Sequence, residues 1–236
     1  MPNVALKKRL RKLKQKKFRW QWQQFVAEGP KVVQDLLQAG LKADVILATQ
    51  PAQYPQAQAV SEAELQALTQ LSTSNEVLAI FNFPKKSFQP ELPFLVLDGI
   101  NDPGNLGTLI RTADWFGLKQ VVALPGTADV FNAKTVQSTM GSLGRVAVLY
   151  QEPQELFEKW KASHLWLKAD MAGTPLTEFR PPQQPWALVL GSESHGPSSF
   201  WDEKTQALTL PKKGQSAIDS LNVGVAGSIF MHHLVS

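Results

Sequence analysis

The stretch Phe94-Leu95-Val96-Leu97-Asp98-Gly99-Ile100-Asn101-Asp102-Pro103-Gly104-Asn105-Leu106-Gly107-Thr108-Leu109-Ile110-Arg111 sets the fold class. An apolar strand, Phe94–Asp98, runs into a turn rich in Asp, Asn, Gly and Pro, and then into a helix read over Asn105–Phe116. The same alternation continues downstream. Strands are expected at Gln120–Leu124, Arg145–Tyr150, His164–Lys168, Trp186–Leu190 and Ala207–Leu210. Helices are expected at Asn132–Leu143, Pro153–Lys161, near Ser198–Asp202, and at Leu221–Leu234. Strands alternating with helices imply an α/β domain built on a mostly parallel sheet covered on both faces.

Upstream, Phe83–Pro93 contains three prolines and two lysines and reads as a linker, because proline removes backbone donors and resists both helix and sheet. Before it lies a smaller α/β unit. Residues 4–26 have helix-forming composition. Pro30 opens a helix that Gly40 stops, and Val45–Ala48 and Val77–Phe81 read as strands. Ser61-x-x-Glu64 is a capping box for a helix through Leu71. The expected division is 1–82, a linker at 83–93, and 94–236.

Composition narrows the function. The chain has 236 residues, 43% of them apolar, enough for a sizeable core. No apolar run is long enough to span a membrane and no secretory signal is recognisable, so a cytoplasmic protein is expected. With no cysteine, disulfides, thiolate nucleophiles and Cys-based zinc sites are excluded, and no metal is called for. The net charge of +4 is unevenly placed. Residues 1–19 hold nine cations (Lys7, Lys8, Arg9, Arg11, Lys12, Lys14, Lys16, Lys17 and Arg19) and no acid; the remainder carries −5. A polyanion such as RNA gains from such a segment through counterion release, and a solvated arm that only aids solubility is the alternative.

Three segments, each just after a strand, carry the chemistry, since ligands of open α/β sheets collect at the carboxyl ends of strands. The first is the opening stretch, with Asn105 near the helix start and Arg111 within an otherwise apolar helix. Arg111 calls for a phosphate or carboxylate, and Asp114 is the ordinary partner. The second is Leu190-Gly191-Ser192-Glu193-Ser194-His195-Gly196-Pro197, where Glu193 is placed to accept hydrogen bonds or pair with Arg111. The third runs from Leu210-Pro211 to Ser220-Leu221-Asn222-Val223. There Ser220 is read as a helix cap and Asn222 as a polar residue one turn in. Taken singly, each segment is explained as well by ordinary turns and caps.

Taken in order, Asn105-x-Gly107-x-x-x-Arg111, Leu190-Gly191-x-Glu193-x-x-Gly196 and Leu210-Pro211 with Ser220-Leu221-Asn222-Val223 resemble the three motifs of the SpoU (TrmH) family of RNA 2′-O-ribose methyltransferases, of the SPOUT superfamily. Thr139-Met140-Gly141-Ser142-Leu143 is similar to a further family segment. Arg19…Phe25-x-x-Glu28-Gly29-x-Lys31 resembles the start of the family's L30e-like substrate-binding domain. Departures are Ser194 for the usual glycine, Gly144 for a larger residue, and His232 and His233 where Tyr or Glu is frequent.

The resemblance implies a C-terminal trefoil-knotted SPOUT methyltransferase domain and a small N-terminal L30e-like α/β RNA-binding domain. It further implies S-adenosylmethionine as cofactor, held by Leu190, Gly191, Gly196, Leu210, Pro211 and Leu221, and a homodimer; no membrane partner is expected, because no apolar run is long enough to span one. By the same resemblance Arg111 is the central catalytic residue, supported by Asn105, Glu193, Ser220 and Asn222. Arg111 acts either as general base or as ligand of the RNA phosphate and the developing alkoxide; a guanidinium resists deprotonation, which favours the second role. The nine N-terminal cations are the implied RNA-binding residues. Ribosomal RNA is the expected substrate, with tRNA methylation or a non-catalytic RNA-binding or ribosome-assembly role as alternatives. A Rossmann methyltransferase is disfavoured because no G-x-G-x-x-G is present.

Overall fold

A computed structural model of the chain describes residues 2–72, 75–212, 214, 218 and 220–236. In chain order its first elements are α1 (Val4–Leu13), α2 (Lys16–Trp22), β1 (Gln24–Glu28), α3 (Pro30–Gln38), β2 (Ala43–Ala48), β3 (Gln58–Ala59), α4 (Glu62–Leu68) and β4 (Val77–Asn82). Then follow β5 (Phe94–Asp98), α5 (Pro103–Trp115), β6 (Gln120–Ala123), α6 (Ala133–Thr139), β7 (Ala147–Tyr150) and α7 (Pro153–Trp160). The last are β8 (Leu165–Pro175), β9 (Trp186–Gly191), β10 (Gln206–Thr209) and α8 (Val223–Val235). Contacts group these into two compact units. One comprises the chain up to Lys86 with Asp129–Arg145; the other comprises Ser87–Ala128 with Val146–Ser236. Spatial grouping and linear order therefore differ at 129–145, which the sequence assigned to the 94–236 segment.

In the first unit the sheet order is β1-β4-β2-β3, with β4 antiparallel to both β1 and β2. The helical reading of 4–26 is corrected here. Asn3 caps α1, and Gln23 in the left-handed region (φ 55) ends α2. Gln24–Glu28 then pairs with β4, putting Phe25, Val26 and Ala27 in the interior. The basic segment thus folds as two helices. Leu10 and Leu13 of α1 enter a core with Val26, Leu47, Leu65, Leu78 and Ile80.

Arg19 departs from its expected role. It is buried, 3% exposed, and pairs with Asp129 at 2.6 Å while donating to the carbonyls of Leu13 and Lys14. Trp20 Nε1 donates to the same carboxylate. A guanidinium so enclosed serves the fold and is not available to RNA. Phe131, two residues past Asp129, stacks on Phe83 with centroids 3.6 Å apart, so this end of the expected linker is packed. Gly144 is explained as well, because a Cβ there would stand 2.4 Å from that of Ala39.

The second unit is a parallel sheet of six strands in the order β10-β8-β9-β5-β6-β7. Phe94, Val96, Val122, Ala187 and Val189 face one core with Leu156, Trp166 and Trp201. On the other side α8 lies so close to α5 and β9 that a Cβ on Gly227 would be 2.5 Å from Leu109 and 3.0 Å from Leu190. Phe88, from the expected linker, packs edge-on against Phe94. Strand β8 runs well past the expected Lys168, because β10 pairs with it again at Thr174 and Pro175 beyond a register shift. Neighbouring strands β5 and β9 are far apart in sequence, so the direction of winding reverses at their carboxyl ends, where α/β sheets hold ligands. The path needed to complete a trefoil knot passes through Lys213, Gln215–Ala217 and Asp219, which lie outside the described residues.

Candidate active site

Asp102 and Pro103 start α5 two residues earlier than expected. Asp102 Oδ1 accepts from Asn105 N at 2.9 Å, and proline takes the first helical position, where no donor is required. This cap fixes Asn105 in the first turn with its side chain at the helix mouth.

Strand β9 ends at Gly191, and the chain folds back on itself at once. Ser192 and Gly196 bridge, and a Cβ on Gly191 would lie 1.9 Å from Gly196 C and Pro197 N. Only glycine fits. Gly196 carries the loop's positive φ of 68°. Ser194 therefore replaces the family's glycine without backbone strain, and its hydroxyl bonds His195 Nδ1 at 2.8 Å. Asp98, at the end of β5, anchors the far side of the loop, its Oδ2 accepting from Ser198 N at 2.8 Å and Trp201 Nε1 at 3.1 Å. The sequence reading missed Asp98, because an acid at a strand end signals nothing about a partner 100 residues away.

The third segment corrects the expected cap. Asn222, not Ser220, caps α8, with Oδ1 accepting from Gly224 N at 3.0 Å and Val225 N at 3.3 Å. Its Nδ2 donates to Asn105 Oδ1 at 2.9 Å and to Glu193 Oε1 at 2.5 Å. Glu193 Oε1 also accepts from Asn105 Nδ2 at 3.1 Å and Val223 N at 3.2 Å. Three chain segments are thus tied at one oxygen. Beside them is a cleft of about 130 Å³ lined by Ile100, Asn101, Asp102, Asn105, Ser192, Glu193, Ser194 and Val223.

The remaining expected residues lie as follows. Arg111 is exposed and has no partner among the described residues, so neither the Asp114 pair nor the Glu193 pair forms. It faces away from the core side of α5, where Leu106, Leu109, Ile110 and Ala113 are buried. Six residues along a helix separate it from Asn105 by roughly 9 Å of rise. Ser220 is exposed at the start of the α8 approach. Leu190 is buried in β9 and Gly191 is enclosed, leaving only backbone to a ligand. Gly196 and Pro211 are exposed, Leu210 is half-buried, and Leu221 is 48% exposed. His233 bonds the Phe179 carbonyl at 2.6 Å and His232 packs edge-on against Phe116, so the pair secures the end of α8. Of the N-terminal cations, Arg9 is held by Gln24 and Asp44 and Lys14 by the Thr69 carbonyl. Lys12 lies over Phe18 and Trp22, and Lys8, Arg11, Lys16 and Lys17 are exposed. Lys7 is half-buried on α1, near the Glu64 carboxylate.

Comparison with known proteins agrees with this geometry. The model of the SpoU rRNA methylase family matches residues 93–232, and that of the MRM3-like substrate binding domain matches residues 6–80. The chain is 34% identical over 234 residues to the 23S rRNA (guanosine(2553)-2′-O)-methyltransferase RlmP of Bacillus subtilis, covering 95% of this chain and 93% of that one. A Porphyromonas gingivalis protein of the TrmH family superposes with a TM-score of 0.89 at 32% identity, over 99% of this chain and 98% of the other. An S-adenosylmethionine-bound rRNA methyltransferase from Sinorhizobium meliloti superposes with a TM-score of 0.87 at 26% identity, over 99% and 96%.

Proposed function

The chain belongs to the SpoU family of RNA methyltransferases, and from that premise we infer that it methylates a ribose 2′-hydroxyl of ribosomal RNA with S-adenosylmethionine as donor. The observation that carries the reading is the joining of Asn105, Glu193 and Asn222 by hydrogen bonds where β5 and β9 end.

The residues present fit this cofactor. Among the described residues nothing stands within 4 Å of where Gly196 or Gly214 would carry a Cβ, so a flat group can lie against bare backbone there. The exposed apolar side chains of Leu221 and Ile218 offer cover for a purine. Leu190, Gly191, Gly196, Leu210, Pro211 and Leu221 are the proposed holders, the first two through backbone. The cofactor supplies a methyl group already activated on a sulfonium, so the chain has to position the acceptor oxygen and manage its proton. Glu193 Oε2 accepts from no described residue and is available to a ligand hydroxyl or amine. Arg111, with no acceptor among the described residues, binds the phosphate beside the target nucleotide and stabilises charge developing on the ribose oxygen. Ser220, two residues before Asn222 in the chain, is proposed as a further hydroxyl for this site.

A homodimer accounts for the apolar surface left on α5 and α8, where Trp115 is 84% and Val225 51% exposed alongside Ile229. Among the described residues no helix is long and apolar enough to cross a membrane.

The test is a ribose-methylation map of total RNA from cells with and without the gene. One rRNA 2′-O-methyl mark is expected to vanish and to return with the wild-type gene but not with Arg111→Ala. A lost tRNA mark would reassign the substrate, and an unchanged map would overturn the enzymatic reading. Near-wild-type turnover by Arg111→Lys would refute the need for a planar fork.

A further inference from the structure

One face of α1 carries Ala5, Lys8, Arg9 and Lys12, spaced at helical turns. Together with Trp22 from the end of α2 and Gln24 from the start of β1, this face borders a shallow cleft of about 540 Å³, wide open to solvent. That is within the range of small-ligand sites, ~300–1,000 Å³. The wall at Arg9 is fixed, because its guanidinium is held by Gln24 and Asp44. Gln24 is held in turn, donating to Asn82 at 3.0 Å. Trp22, half-buried, is the aromatic residue of the lining, and Phe18, outside the lining, lies 5.2 Å from it, centroid to centroid. Lys12 rests over both rings, 4.8 Å from Phe18 and 5.6 Å from Trp22. Lys8, one turn away on the same face, is exposed and has no partner among the described residues.

We propose that this cleft is a single-strand subsite, in which an unpaired RNA base stacks on Trp22 while Lys8 and Lys12 hold the flanking phosphates. The proposal rests on the reading of the chain as an RNA methyltransferase and adds where, and in what form, its first unit takes RNA. Aromatic platforms beside a cationic track are how proteins hold unstacked nucleotides, whereas a duplex hides its base faces and offers only phosphate. The ring contact of Lys12 is the weaker of the competing interactions. A stacked base yields more than an exposed cation–π contact, and the displaced ammonium gains a phosphate. An anionic lipid surface would use the cations but has no need of a planar ring in a cleft with fixed walls.

The test uses the full chain and a fluorescent oligoadenylate of roughly 12 nucleotides, within the usual span of such sites, compared with an RNA duplex of equal length and with anionic phosphatidylserine vesicles. The single strand is expected to bind about tenfold tighter than the duplex. Lys8→Gln with Lys12→Gln is expected to weaken single-strand binding about tenfold and to reduce its salt dependence. Trp22→Leu should weaken it by about tenfold, with Trp22→Phe restoring most of the loss. S-adenosylmethionine affinity and the unfolding midpoint of the lysine variant should not change. Should Trp22→Leu fail to fold, the lysine pair and the duplex comparison still decide. Equal binding of duplex and single strand, equal loss in Trp22→Leu and Trp22→Phe, no loss in the lysine variant, or binding to vesicles but not to RNA would each overturn the proposal. A null methylation map with single-strand binding intact would instead count against the enzymatic reading alone.

Discussion

The side-chain amide of Asn222 divides its two ends between fold and site. Oδ1 caps α8, and Nδ2 donates to Asn105 and Glu193. Substitution separates the two functions. Asn222→Asp keeps an acceptor for the helix but sets a second carboxylate against Glu193, so the helix should stay within about 1 kcal/mol of wild type. Turnover should nonetheless fall by tenfold or more, read as methyl transfer to RNA at saturating cofactor. Wild-type turnover in the Asp variant would show that the cluster does not organise the site. A second residue, His164, gives a pH signature. Burial pushes its imidazole below the usual range, partly opposed by the Leu92 carbonyl. The unfolded chain takes up a proton as pH falls through about 6.5 while the folded protein does not. Stability attributable to His164 is therefore complete above that pH and lost below it. Urea midpoints at about pH 7.5 and pH 5 should diverge less in His164→Gln than in wild type; an unchanged divergence would remove His164 as the cause. At this scale the sequence was legible where a side chain acts through its own turn, and illegible for Arg19, whose partner lies 110 residues away.

The return of the chain after β9 shows what an element demands. A Cβ on Gly191 would sit inside the backbone of Gly196 and Pro197, whereas Gly196 has open space and only a positive φ. Gly191→Ala must move the loop and should cost about 3 kcal/mol or more together with cofactor binding. Gly196→Ala should cost only about 1–2 kcal/mol, the strain of a left-handed alanine. Calorimetric titration with S-adenosylmethionine and thermal unfolding of both variants check the contrast; comparable losses would mean that φ, not the close approach, governs the loop. The alternation of strands and helices from Phe94 onward was readable because apolar runs bounded by turn residues are local signals. Strand β1 was not, because Gln24–Glu28 continues a helix-forming composition and becomes a strand only by pairing with β4. The second half of β8 is extended for the same reason, through its partner β10.

Across the whole molecule, the grouping of 129–145 with the first unit makes that unit discontinuous in sequence. No linear reading could reveal this, since the family models match residues 6–80 and 93–232 as separate stretches. The consequence concerns Arg19. Within the full chain its charge is compensated by Asp129, and Phe131 stacks on Phe83 beside it. A fragment of residues 1–86 loses Asp129, so the guanidinium keeps the Leu13 and Lys14 carbonyls but has no counter-charge, at a cost of up to about 3–5 kcal/mol to the extent that it stays buried. Arg19→Met should then act with opposite signs in two contexts. In the fragment it removes an uncompensated charge and should raise the urea midpoint followed by circular dichroism. In the full chain it leaves the buried Asp129 Oδ2 without its cation while Trp20 Nε1 keeps its bond to Oδ1, and hydrogen exchange of the α2 amides should speed up. If the substitution lowered stability alike in both contexts, Arg19 would be held by its contacts with the Leu13 and Lys14 carbonyls rather than by the carboxylate, and the first unit would not depend on residues 129–145 for its electrostatic balance.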